Sequence, residues 1–68
     1  MKIQLNGKPI ILDAGETLAA LLRRHDIADD ATGIAVAVNG AVVPRREWAA
    51  HTLNNGDTVE VIRAAQGG

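Results

Sequence analysis

The chain has 68 residues, seven basic and eight acidic side chains, a net charge of −1, one aromatic residue and no cysteine. That describes one small domain with no disulfide, no thiolate metal site and no cysteine nucleophile or persulfide. It also lacks the basic excess and the aromatic platform of a nucleic-acid binder.

The hydrophobic fraction rests on 12 Ala and on six each of Val, Ile and Leu, so the core must be aliphatic. A domain this small buries only about 60% of the surface its unfolded chain exposes. A substrate pocket would have to be cut from that one core, which argues against a self-contained enzyme. No apolar run is longer than that of Ile34 to Val38, which is far short of the roughly 20 residues of a membrane span. The N-terminal stretch has no long apolar segment with a cleavage site, which predicts a cytoplasmic protein.

Lys2 to Leu5 alternates, with Ile3 and Leu5 on one face, the period of a half-buried strand. Asn6-Gly7 follows, a pair suited to the positive φ angles of a tight hairpin. Pro9 to Leu12 is the return strand, and Pro9 marks it as an edge or a strand start. Asp13 to Glu16 breaks the pattern. Thr17 can cap a helix, and Leu18, Leu21 and Leu22 form one helical stripe. Arg23, Arg24 and His25 suit its C-terminal end, so a helix is predicted over 17–25. Asp29 to Gly33 reads as a solvated loop.

Ile34 to Val38 is the third strand. Its large residues, Ile34, Val36 and Val38, are assigned to the core, and Ala35 and Ala37 to the other face. Asn39-Gly40 is a second tight turn, leading to a short strand over 41–43. Residues 45–51 read as a helical turn or loop around Trp48, with Leu53 as a core anchor. After the Asn55-Gly56-Asp57 turn, Thr58 to Arg63 alternates, with Val59 and Val61 inward and Glu60 and Ile62 outward. One helix can cover only one face of such a sheet. The predicted fold is α+β, a ubiquitin-like β-grasp with a mixed four- to five-stranded sheet over 1–63.

Residues 64–68, Ala-Ala-Gln-Gly-Gly, offer no large apolar side chain and are expected to form a flexible tail. In an arbitrary small domain such a tail is inert. Behind a ubiquitin-like pattern, Gly-Gly supports a different reading. A terminal carboxylate is a weak electrophile, and adenylation by ATP makes it a good one. Gly67 and Gly68 lack Cβ atoms, so they can thread a narrow channel in a partner. The tail then acts as a substrate arm and the domain as its handle.

The whole chain resembles the ThiS family, sulfur carriers of thiamine (thiazole) biosynthesis within the ubiquitin-like ThiS/MoaD superfamily. The resemblance rests on Ile3-Gln4-Leu5-Asn6-Gly7, on Thr17-Leu18 with Leu21-Leu22, and on Val36-Ala37-Val38-Asn39-Gly40. It continues through Val43-Pro44-Arg45, Trp48, Leu53 and Gly56-Asp57 to Gly67-Gly68. Val-Pro-Arg-x-x-Trp is its most discriminating segment. The resemblance implies that a ThiF-like adenylyltransferase activates the Gly68 carboxylate with ATP and Mg²⁺. It further implies that a cysteine desulfurase or other sulfur donor converts it to a thiocarboxylate, which a ThiG-like thiazole synthase consumes. Gln66 and Gly67 would be read as the tail enters its partners. On this view the protein is a co-substrate, a monomer when free, with no permanently bound cofactor, no nucleic acid and no membrane.

Other candidate sites are weaker. His25 and His51 have no ligand cluster around them in sequence. Asp29-Asp30 has nothing to hold two carboxylates at a fixed separation. Trp48 reads as a packing plug beside Leu53. The outer sheet face is the better candidate for partner docking: Ile11, Ala35, Ala37 and Ile62 fall there by parity, with Arg45 added from the family motif. Alternative functions are a carrier for molybdopterin-type sulfur chemistry, a ubiquitin-like modifier joined to lysines, and an inert β-grasp module.

Overall fold

Two Asn-Gly turns set the shape of the sheet in the computed structural model, which describes residues 1–28 and 31–63. Asn6 and Gly7 have φ of 49° and 83°, and Asn39 and Gly40 have 51° and 84°. Positive φ at both central residues is the hairpin geometry that matches strand twist. The first turn joins β1 (Lys2–Leu5) to β2 (Lys8–Ile11), with Leu5 opposite Lys8. The second joins β3 (Ile34–Val38) to β4 (Ala41–Val42), with Val38 opposite Ala41.

The last strand, β5 (Thr58–Arg63), completes a five-stranded sheet in the order β2-β1-β5-β3-β4. It runs parallel to β1 and antiparallel to β3. Pro9 lies in edge strand β2, where its missing N–H costs no internal ladder bond.

The helix α1 (Leu18–Arg24) crosses one face. Thr17 caps it, the hydroxyl accepting the Ala20 N–H at 3.3 Å, and His25 closes its C-terminal end. Leu18, Leu21 and Leu22 pack with Ile3, Val36, Leu53 and Val59 in an aliphatic core. This is the β-grasp arrangement expected from the sequence.

The Val-Pro-Arg-x-x-Trp segment closes the far side of that core. The Val43 N–H donates to the Val36 carbonyl at 2.8 Å, and the Val43 carbonyl accepts the Trp48 Nε1–H at 2.9 Å. Residues Arg45–Glu47 form a single 3-10 turn. The carbonyls of Trp48 and His51 accept the N–H groups of Ala19 and Leu18, so the segment is tied to the first turn of the helix.

The observed elements differ from the expected ones in small ways. Strand β2 begins at Lys8, one residue early, because the two-residue turn pairs Lys8 with Leu5. Strand β4 ends at Val42, because the Val43 carbonyl turns from the ladder to the Trp48 Nε1–H although the Val43 N–H still reaches the Val36 carbonyl. Asp57 is more than a turn residue. It is buried, its Oδ2 accepting the Asn54 N–H at 2.8 Å and its Oδ1 accepting from the Asn39 side-chain amide at 3.0 Å. Asp29 and Asp30 lie outside the described residues. Among the described residues, no helix is long and apolar enough to cross a membrane.

Candidate functional site

The end of β5 is where the domain leads into residues 64–68. Gln66, Gly67 and Gly68 lie outside the described residues, so the site is read from the surface at their root. Arg63 stands opposite Ile34, and Ile62 opposite Ala35. Ile62 and Ala35 face away from the helix, because Val59 and Val36 on the other parity form the core.

Ile62 is 54% exposed and Val42 is 69% exposed. Val42 stands opposite Ala37, and Ala37 stands opposite Glu60 on its other side. Ile62, Ala35, Ala37 and Val42 therefore lie together on the outer face of β5, β3 and β4, beside the strand end. Ala37 contributes little surface: it is only 8% exposed, flanked by the longer Val42 and Glu60 side chains. Val42 was not among the expected patch residues. The Asn39-Gly40 turn would have placed it, since a two-residue loop puts Val42 opposite Ala37.

Two expected patch residues are elsewhere. Ile11 is on the outer face and 71% exposed, but it pairs with Lys2 at the opposite end of the sheet. Gln4 is level with Thr58, so Ile11 lies six residues along the strand direction from Ile62. At about 3.3 Å per residue that is about 20 Å, with two strand spacings more across the sheet. Ile11 and Ile62 do not form one patch. Arg45 lies on the helix side. Its guanidinium stacks 5.1 Å from the centre of the Trp48 ring and donates to the Ala31 carbonyl, and Trp48 packs in the core. A family-motif position suggested docking; the contacts make Arg45 a brace between the Trp48 turn and the chain leading into β3.

Among the described residues, neither histidine has a cluster of partners around it. His25 is exposed at the helix end, and the His51 carbonyl serves the helix N-terminus. Among the described residues, no three His, Cys, Asp or Glu side chains converge on a common point. The nearest ionic cluster joins Arg24 to Glu16 at 2.8 Å and to Asp13 at 3.8 Å, and it ties the helix to the loop before it. What the described site offers is an exposed aliphatic surface beside the point where β5 leads into residues 64–68.

The ThiS family model matches residues 3–68. The sulfur carrier protein ThiS of Escherichia coli is 34% identical over 68 residues, which is all of both chains. A thiazole synthase of Magnetococcus marinus is 41% identical over 68 residues, all of this chain and 20% of that protein. The crystal structure of a thiamine biosynthesis protein (ThiS) from Geobacter metallireducens superposes with a TM-score of 0.79 at 34% identity, over all of both chains. The solution structure of a thiamine biosynthesis protein from the same organism gives 0.74, with 88% of that chain covered.

Proposed function

Because this chain belongs to the ThiS family, and is thereby a sulfur carrier of thiamine biosynthesis rather than a catalyst, we propose that it carries sulfur as a thiocarboxylate on Gly68. The observation that carries this reading is the extent of the likeness: the family match runs to residue 68, and the Escherichia coli carrier aligns over its whole length.

A carboxylate does not exchange oxygen for sulfur unaided. In the proposed cycle, a ThiF-like adenylyltransferase uses ATP and Mg²⁺ to join the Gly68 carboxylate to AMP, releasing pyrophosphate. The outer sulfur of a cysteine desulfurase persulfide displaces AMP to give an acyl disulfide, whose S–S bond a thiol then reduces to release the thiocarboxylate. A sulfide donor displaces AMP and gives the thiocarboxylate directly. A ThiG-like thiazole synthase takes the sulfur, and the carboxylate returns. The likeness to a thiazole synthase over one fifth of its length supports that last partner. The need for ATP places the cycle in the cytoplasm. The folded domain binds partners, while residues 64–68 carry the reacting terminus into their active sites and Gln66 and Gly67 are read along the way.

The test is intact mass after incubation with a ThiF-like enzyme, ATP, Mg²⁺ and a sulfide source. Exchange of one oxygen for sulfur at the C-terminal residue is expected. Covalent attachment to other proteins would instead identify a modifier, and an unchanged mass with a competent partner would leave an inert module.

The docking surface follows from the same reading. An exposed aliphatic cluster on a small domain marks a contact site, and Ile62, Ala35 and Val42 stand beside the root of the arm. Placing Ile62→Asp there would bury an unpaired charge in the complex, a cost of several kcal/mol. Binding to the adenylating partner should weaken by at least about tenfold, while the thermal midpoint stays near wild type because Ile62 is outside the core. Unchanged affinity in a calorimetric titration would remove this face from the interface. Ile11→Asp, at the far corner, is the matched control and should leave affinity unchanged.

A further inference from the structure

The turn residue Asn6 does more than turn the chain. Strand β1 pairs with β5 at Gln4–Thr58 and Leu5–Val59 and then ends. The Asn6 N–H still donates to the Val59 carbonyl at 2.9 Å. In a continued parallel ladder, the next bond would run from the Val61 N–H to the Asn6 main-chain carbonyl. Asn6 instead leaves the extended path with a φ of 49°. Its side-chain oxygen takes the place of that carbonyl and accepts the Val61 N–H at 2.8 Å.

The other hairpin repeats the device on the opposite edge of β5. The Asn39 side-chain oxygen accepts the Thr58 N–H at 2.9 Å, while the Asn39 N–H donates to the Thr58 carbonyl at 2.8 Å. Each turn asparagine therefore grips the strand that leads to the arm. Asn39 grips its start, and Asn6 grips it two residues before Arg63, beyond the last β1 partner.

We infer that Asn6 is a positioning residue for the sulfur-bearing arm: its side-chain carbonyl extends the parallel ladder by one bond, holds the β1 side of a strand end whose β3 side is paired through Arg63, and so helps fix the direction in which the chain leaves β5. This rests on the carrier reading above. A partner that holds the outer face of the domain needs the arm to leave at a set angle to reach its active site. Loss of the grip leaves docking intact and lowers the fraction of docked carriers whose terminus is in place. The effect belongs in kcat for adenylation and not in carrier affinity.

Two variants separate this role from folding. Asn6→Gly adopts positive φ without strain and removes the acceptor. Asn6→Asp also tolerates positive φ and keeps an oxygen for the Val61 N–H. With a ThiF-like enzyme and ATP, Asn6→Gly should lower kcat by about two- to tenfold, the range spanned by one net hydrogen bond. Its KM for the carrier should stay within about twofold. Amide hydrogen exchange at Val61 should quicken by a similar factor. Asn6→Asp should restore both.

A wild-type kcat in Asn6→Gly, with faster exchange at Val61, overturns the positioning role and leaves the carrier reading intact. A rise in KM alone also overturns it, by placing Asn6 in docking. An Asn6→Asp variant as slow as Asn6→Gly overturns it as well. Failure of the wild-type protein to be adenylated removes the carrier reading itself and this role with it.

Discussion

Removing Gly68 should reduce thiocarboxylate formation by at least about a hundredfold and leave the domain folded. The truncated chain still ends in a glycine carboxylate, so the reactive group is present and only its reach has changed. One residue of extended chain is about 3.5 Å, and a displacement of about 1 Å in a reacting group already costs about a hundredfold. The fold is unaffected because every buried hydrophobic residue among those described lies at or before Val59. Intact mass after the complete sulfur-transfer reaction gives the first outcome, and a thermal melt gives the second. Thiocarboxylate formed at the wild-type rate on the shortened chain would mean that the partner does not measure arm length. A chain that unfolds on losing Gly68 would place residues 64–68 inside the domain.

The largest loss of stability is expected from Trp48→Ala, at about 3–5 kcal/mol. A domain of this length has a total of about 3–10 kcal/mol, at about 0.05–0.15 kcal/mol per residue, so the loss takes a large share of that total and should lower the thermal midpoint sharply. The indole is the one large aromatic body in an aliphatic core. Its removal leaves a cavity, an unpaired Val43 carbonyl and an Arg45 guanidinium with no ring beneath it. Trp48→Phe separates these effects. It keeps most of the volume and loses the Nε1–H bond, and should cost about 1–3 kcal/mol. Urea unfolding followed by circular dichroism measures both. A loss below about 1 kcal/mol for Trp48→Ala would show that the core closes without its plug.

Much of the fold was legible because short elements here carry strong local signals. Asn-Gly fixes hairpin register, a Leu stripe at helical spacing fixes the helix face, and Thr17 fixes its start. Alternation in 58–63 fixed which side of β5 faces the core. What sequence could not supply was position along the sheet. Parity placed Ile11 and Ile62 on one face correctly, yet parity carries no information about distance along the strands. Only the parallel pairing of β1 with β5 reveals that they stand at opposite corners. Arg45 shows a different gap. Its place in a family motif signalled importance, and the contact it makes is a cation held over Trp48, which no spacing rule distinguishes from a docking residue.

The side-chain roles of Asn6, Asn39 and Asp57 were hidden for a related reason. Each looked fully explained by its turn. Their second contacts reach 55, 19 and 18 positions along the chain, to Val61, Thr58 and Asn39. Local propensity is blind to such partners.

The strand order has a consequence for biosynthesis. The central strand of the sheet is the last one to be made, and β1, its parallel neighbour, is the first. While the chain is being translated, the N-terminal hairpin and the β3–β4 hairpin have no strand to join them. The two halves share one core, and the sheet beneath it is continuous only once Thr58 to Arg63 has been added. Pairing across the full length of the domain is slow compared with local hairpin closure, so the sheet is completed only after β5 has been made. A nascent or prematurely terminated copy therefore has no assembled outer face to offer a partner. Any partner that reads the outer face therefore meets only copies in which β5 is already in place.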